Sequence, residues 1–187
     1  HVIRIYERFL KQRFVNVFQP KVLDFGCGVG ANLIFFKDKG FDVYGYDVSP
    51  TAIEMCKRNK AFNKNQFAIC NEIPSLVDLF GSTGFDLILS NQTLYYLNDE
   101  LLGQFTDQAY ALTNPRCFIV TTMMANSHWF FSKIISEGNS LQKVDLSNTR
   151  FNELSLINFK EKEDLEELFI PFQKCLIGFY TLDVLPE

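Results

Sequence analysis

The sequence predicts a doubly wound α/β domain, a mostly parallel sheet with helices on both faces. Five short apolar runs, at residues 22–25, 41–46, 67–70, 85–90 and 117–122, are too short for ordinary helices. Most of the segments between them are long enough for helices and carry helix start and stop signals. This alternation is the rhythm of strand–helix–strand units, whose strands run parallel and are covered on both sides.

Residues 3–18 open the chain with Ile3, Tyr6, Phe9, Leu10 and Phe14 at helical spacing, so a helix over 2–18 is expected, stopped by Pro20. A second helix over 31–39 ends at Gly40. A third over 50–63 starts with Ser49 as its cap and Pro50 in its first turn, and a fourth over 99–113 ends before Pro115. From 127 to 158 the pattern weakens into polar turns with isolated aromatics, an insertion between the fifth strand and a last helix at 160–169. Such insertions commonly shape a pocket in α/β folds. The mixed charges of 160–167 form the solvated face of that last helix. With no repeat, low-complexity tract or linker, residues 1–187 read as one domain.

At 47% hydrophobic residues the chain has enough apolar material for one core, and its 20 Phe residues are spread through every segment at core-like spacings. A net charge of -4 with no Lys/Arg run creates no broad positive field, which disfavours a nucleic-acid partner. Cys27, Cys56, Cys70, Cys117 and Cys175 are odd in number and contain no Cys-x-x-Cys pair; they read as reduced, buried thiols of a cytoplasmic protein. No apolar stretch approaches the ~20 residues that span a bilayer, so no membrane association is expected. The chain begins at His1 without an initiator Met and reads as trimmed, so the cytoplasmic expectation rests on the thiols alone.

The chemistry concentrates around Val22-Leu23-Asp24-Phe25-Gly26-Cys27-Gly28-Val29-Gly30, a strand running into a glycine-rich turn and then a helix. Such a turn brings backbone close to a ligand, and free amides at the helix start face its polar groups. Asp24 precedes the glycines, and Asp47 ends the second strand about twenty residues beyond them. An acid at that second position suits paired ribose hydroxyls. A carboxylate beside the turn repels a pyrophosphate but suits a cationic amino-acid group, which favours S-adenosylmethionine over NAD. The Gly-x-Gly-x-x-Gly spacing of dinucleotide-binding oxidoreductases is absent.

The successive stretches VLDFGCGVG, YGYDVSPTAI, FDLILSNQTLYYL and NPRCFIVTT resemble the motifs of class I S-adenosylmethionine-dependent methyltransferases, across nearly the whole chain. The resemblance implies a Rossmann-like fold, S-adenosylmethionine as cofactor and S-adenosylhomocysteine as product. It implies that Asp24 and the Gly26, Cys27 and Gly28 backbone hold the methionine end, while Asp47 holds the ribose and Val48 packs on adenine. Asn71 or Glu72, after the third strand, is expected at the adenine amino group, with Asn71 slightly favoured. Asn91 is expected near the methionine amine through its backbone, and Tyr96 is placed to close over the sulfonium. For Tyr95 and Tyr96, core or rim packing stands beside ligand contact. The family sheet ends with a sixth strand and an antiparallel seventh; residues 175–184 suit the sixth, and the final antiparallel strand is expected to be missing.

Methyl transfer from a sulfonium needs alignment and exclusion of water, and no metal is called for. His128, after the fifth strand, is the candidate base, with a structural or rim role as the alternative. Tyr95, Trp129 and Arg150 are candidate acceptor contacts; Trp129 with Phe130 and Phe131 forms an apolar wall or packs in the core, and Arg150 meets an anionic acceptor or is simply solvated. The expected acceptor is a small-molecule hydroxyl or amine. A protein or RNA acceptor is the alternative within the family, and a silent cofactor-binding module is the alternative outside it.

Overall fold

The computed structural model describes residues 1–69, 76–81, 84–172 and 176–179. Strands β1 (Lys21–Phe25), β2 (Asp42–Asp47), β3 (Phe67–Ile69), β4 (Phe85–Ser90) and β5 (Thr113–Thr121) form one parallel sheet in the order β3-β2-β1-β4-β5. The chain winds outward from β1 through β2 to β3, then crosses back to β4 on the other side of β1. The direction of winding reverses between β1 and β4, and the ligand crevice of such a sheet lies outside the carboxyl ends of the strands at that point.

Successive strand residues point to opposite faces, and both faces are buried. Val22, Val43, Leu87 and Leu89 pack with Leu33 and Phe36 of α2 (Ala31–Asp38) and Ile53 and Cys56 of α3 (Pro50–Arg58). Leu23, Phe25 and Ile88 pack the opposite way, against Leu102 and Phe105 of α5 (Asp99–Ala111). Two-sided burial is why these strands read as near-continuous apolar runs. Between β3 and β4 lies a five-residue helix, α4 (Leu76–Phe80), which carries no distinct sequence signal.

The expected N-terminal helix over 2–18 takes a different form. One α turn, α1 (Val2–Ile5), passes into a π turn over Tyr6–Leu10 and a 3₁₀ turn over Lys11–Arg13. The buried stripe is Val2, Tyr6, Leu10 and Phe14, while Ile3 is 47% and Phe9 52% exposed. A spacing of four drifts by about 40° per step on a 3.6-residue helix. The wider π turn slows that drift and keeps Tyr6 against Phe35, Phe36 and Phe41, at ring separations of 5.5, 5.3 and 5.9 Å. The third helix also ends early, at Arg58, because Asn59 is extended. The chain then turns so that Phe62 packs under the glycine turn and against Phe67.

The insertion at 127–158 also departs from expectation. A 3₁₀ turn over Trp129–Lys133 leads into an antiparallel sheet of β6 (Ile134–Ser136), β7 (Gln142–Asp145) and β8 (Leu154–Ile157). In β8, Leu154 and Leu156 are exposed while Ser155 and Ile157 are buried, so apolar residues on both faces hide the strand period. This small sheet has its own core of Tyr95, Phe130, Val144, Leu146 and Ile157. Residues 176–179, within the stretch expected to form a sixth strand, carry no regular structure; the rest of 175–184 lies outside the described residues. Among the described residues, no helix is long and apolar enough to cross a membrane.

Asn158, 1% exposed, pins the insertion to the main sheet. Its backbone N–H donates to the Tyr95 carbonyl at 2.7 Å, and its Nδ2 donates to the Leu97 carbonyl at 3.0 Å and to Asp99 Oδ1 at 2.8 Å. Lys160 Nζ reaches the same carboxylate at 2.8 Å, just before α6 (Lys162–Leu168). Burial pushes the Asp99 carboxyl up, but the hydrogen bonds from Lys160 and Asn158 outweigh it and hold the group below its ordinary value. Asn158→Ala removes two side-chain donors and leaves the half-buried Leu97 carbonyl without its Asn158 donor. Urea unfolding is expected to show a loss of about 1–3 kcal/mol, and a loss below a few tenths would refute this anchoring role.

Candidate cofactor site

The glycine turn leaves β1 under tight backbone control. The N–H groups of Gly26 and Cys27 both donate to the Tyr46 carbonyl, at 2.8 and 2.9 Å, which binds the turn to the end of β2. Gly26 has φ +77°, and a Cβ there would overlap the Thr93 side chain. Gly28 has φ +53°, yet nothing lies within 4 Å of where its Cβ would stand. Gly26 is thus required by protein packing, whereas Gly28 borders open space where a ligand can touch backbone.

Three polar side chains stand at the carboxyl ends of the strands around this turn. Asp24 is fully buried; its Oδ2 accepts from Asn32 Nδ2 at 3.2 Å, while its Oδ1 has no partner. Asn91, just beyond β4, also has a buried Oδ1 without a partner. These strands are neighbours in the sheet, so two unpaired acceptors stand at the reversal point. Asp47 ends β2 and uses its carboxylate differently: Oδ2 accepts the Gly28 N–H at 2.7 Å and Oδ1 accepts the Ser49 N–H at 2.8 Å. Each carboxylate oxygen retains a second lone pair for a ligand hydroxyl. Val48 beside it is 57% exposed, an apolar side chain open to a ligand face.

The loop after β4 is held in a specific shape. Gln92 takes a left-handed conformation, φ +59°, secured by its N–H to Thr122 Oγ1 at 2.7 Å. Ser90 Oγ donates to the Phe25 carbonyl, tying β4 to β1. Burial pushes the Asp24 carboxyl up to about 7; the Asn32 hydrogen bond opposes this and the charge of Asp47 adds to it. An unpaired buried carboxyl with that pKa suits a cationic donor, since an ammonium satisfies the free oxygen and favours ionisation. Two orphaned acceptors at the reversal point, a glycine turn open at Gly28 and an acid at the end of β2 therefore fit the amino-acid and ribose ends of S-adenosylmethionine.

The other predicted residues divide. Tyr96 is 49% exposed with its ring 4.6 Å from that of Tyr95, which is buried in the insertion's core. Trp129 packs against that core, Phe130 is buried in it, and Phe131 is 40% exposed. Arg150 lies over the Phe151 ring at 5.0 Å. His128 caps the 3₁₀ turn: its Nδ1 accepts the Phe130 N–H at 3.2 Å, and burial holds its pKa below the ordinary value. A neutral ring accepting at Nδ1 carries its proton on Nε2, so His128 presents a donor in this arrangement. Asn71 and Glu72 lie outside the described residues. Asn32, Thr93 and the side chain of Asn91 are additions that sequence spacing did not single out; Asn32 is eight residues from Asp24, a distance set by the turn. Among the described residues, no group of three or more His, Cys, Asp or Glu side chains is arranged to hold a metal ion.

This fold and site define a Rossmann-like, S-adenosylmethionine-dependent methyltransferase domain. The family model for the methyltransferase domain matches residues 2–170, and the chain belongs to that family. It is 27% identical over 113 residues to a tRNA (uracil(54)-C(5))-methyltransferase of Pyrococcus furiosus, covering 58% of this chain and 27% of that protein. It is 35% identical over 71 residues to a ribosomal protein L11 methyltransferase of Paraburkholderia xenovorans, covering 37% of this chain and 22% of that one. The chain thus spans about a quarter of the length of these two relatives. The crystal structure of an S-adenosylmethionine-dependent methyltransferase from Clostridium acetobutylicum superposes with a TM-score of 0.64 over 90% of this chain and 85% of that one; at 13% identity the likeness is one of fold.

The raised Asp24 pKa gives a signed prediction. A carboxyl whose folded pKa exceeds its unfolded value contributes stability that is full below the unfolded value and is lost as pH rises through about 7. Without cofactor, the protein is therefore expected to lose roughly 4 kcal/mol relative to Asp24→Asn between about pH 4 and pH 8. Paired urea titrations across this range measure the difference, and parallel stability curves would refute it.

Proposed function

We propose that the chain transfers a methyl group from S-adenosylmethionine to a small-molecule hydroxyl or amine. The observation that carries the cofactor half is the pair of buried, unpartnered oxygens, Asp24 Oδ1 and Asn91 Oδ1. Both are acceptors, and an α-ammonium group supplies the matching donors. In this reading Asp24 and Asn91 hold the methionine amine, while the Gly26, Cys27 and Gly28 backbone lies along the methionine chain. Asp47 receives the ribose hydroxyls and Val48 seats the adenine. When bound, the cofactor supplies an electrophilic methyl group on a sulfonium. Tyr96, half exposed next to Tyr95, shields that end from water.

The acceptor side is built by the insertion, fastened at Tyr95, Leu97 and Asp99 and again where the Lys160 N–H meets the Met124 carbonyl. Its aromatic interior and the chain's net charge of -4 favour a small apolar or neutral acceptor over a polynucleotide. Trp129 forms its wall, and His128 orients the acceptor through Nε2–H. To act as a base, His128 must first release the Phe130 N–H. Arg150, stacked on Phe151, stands at the outer rim. The tRNA and ribosomal-protein methyltransferases among the relatives make a macromolecular acceptor the second reading.

Calorimetry is expected to show micromolar or tighter binding of S-adenosylhomocysteine and far weaker binding of NAD; equal affinities would reject the cofactor assignment. Asp47→Ala is expected to cost about 1.5–3 kcal/mol, a tenfold to 150-fold loss of affinity. An unchanged constant in the folded variant would remove Asp47 from the ribose.

His128→Asn keeps a capping side chain and thus separates capping from chemistry. Single-turnover transfer is expected to stay within about tenfold of wild type while acceptor affinity changes. A fall of about 10² or more at unchanged cofactor affinity would instead make His128 the base.

A further inference from the structure

Cys27, in the glycine turn, and Cys56, in the last turn of α3, are both free and buried, 6% and 0% exposed. Their thiols donate to one acceptor, the Gly28 carbonyl, at 3.5 and 3.4 Å. Gly45 makes room for the arrangement, since a Cβ there would lie 2.8 Å from Cys27 Sγ. Two sulfurs that share one carbonyl oxygen, from residues 29 positions apart, come within the ~2 Å of a disulfide bond when the turn and the end of α3 shift locally.

We infer that Cys27 and Cys56 are an oxidisable pair, whose disulfide ties the glycine turn to α3 and weakens cofactor binding. The effect on binding rests on the cofactor reading above; formation of the bond does not. The oxidant is a small hydroperoxide, admitted to the two buried sulfurs when the turn opens locally beside Gly28. The neighbouring Cys27 thiol holds the Cys56 thiol below its usual range, against burial and the charges of Asp47 and Asp24. Cys56 is thus the attacking thiolate. Its sulfur takes the terminal oxygen of hydrogen peroxide, the O–O bond breaks, and the leaving hydroxide is protonated to water. The Cys27 sulfur then displaces hydroxide from the resulting sulfenic acid and loses its own proton, completing a second water. Two thiols and one peroxide become one disulfide and two waters.

Neither sulfur of the disulfide carries a hydrogen, so the Gly28 carbonyl loses both thiol donors. The Gly28 N–H holds Asp47 Oδ2 at 2.7 Å, and a displaced Gly28 peptide therefore moves the carboxylate assigned to the ribose. Bound cofactor in return disfavours the disulfide at equilibrium, as linkage between two sites requires.

The test treats the full chain with hydrogen peroxide and maps its peptides by mass under non-reducing conditions. A cross-linked peptide joining Cys27 to Cys56, lighter by two hydrogens, absent from Cys27→Ser and Cys56→Ser and reversed by a dithiol reductant, is the expected result. Its absence, or preferential pairing with Cys70, Cys117 or Cys175, overturns the proposal. Calorimetry on the same samples is expected to show an S-adenosylhomocysteine affinity at least about tenfold weaker after oxidation. If the bond forms and the affinity is unchanged, the coupling is refuted while the cofactor reading survives. If the reduced protein fails to bind, the cofactor reading falls and the peptide map alone still decides whether the pair forms.

Discussion

The structure is organised around one short stretch of backbone, the turn from Gly26 to Gly30, which must be thin enough for three other segments to close on it. Tyr46 binds it from β2 through two amide donors, Thr93 presses on Gly26 from beyond β4, and Phe62 packs under Gly30 from the end of α3. Gly28 is where this crowding stops: its N–H is held by Asp47, its carbonyl by two thiols, and its remaining side is open. A side chain at Gly26 would push Thr93 and its loop away, and with them Asn91. The turn thus sets the spacing of Asp24, Asp47 and Asn91.

Electrostatics then give the opening its character. Burying a carboxyl without a full set of donors is costly, and Asp24 responds with a pKa near 7. Asn32 supplies one donor and leaves the second oxygen unsatisfied. A site in this condition is prepared for a ligand carrying both positive charge and hydrogen-bond donors. Asp47 differs in kind: satisfied by two backbone amides, it is oriented in advance and still has lone pairs to share.

The insertion obeys a separate constraint. Its strands are three to four residues long, too short for independent stability, and they persist because Asn158 and Lys160 fasten them to the loop after β4. Tyr95 belongs to this second core, so the loop after β4 and the small antiparallel sheet are packed as one unit.

The sequence by itself determined the parallel sheet, because strands buried on both faces must be short apolar runs, and β4 appears at the residues its run marks. It also determined the glycine turn and the two acids, whose chemistry depends on residue type and spacing along the chain. Contacts between distant segments were decided elsewhere. The N-terminal stripe follows residues 2, 6, 10 and 14 because a π turn matches it to an aromatic cluster on α2, which no local period reveals. In the insertion, β8 escapes notice because apolar residues occupy both of its faces, and β7 because Val144 is its one apolar residue. Asn32, Cys56 and the Asn91 oxygen gain meaning from atoms up to dozens of residues away. Pairing with a fixed partner in space is a tertiary property; the sequence specifies it only through the whole fold.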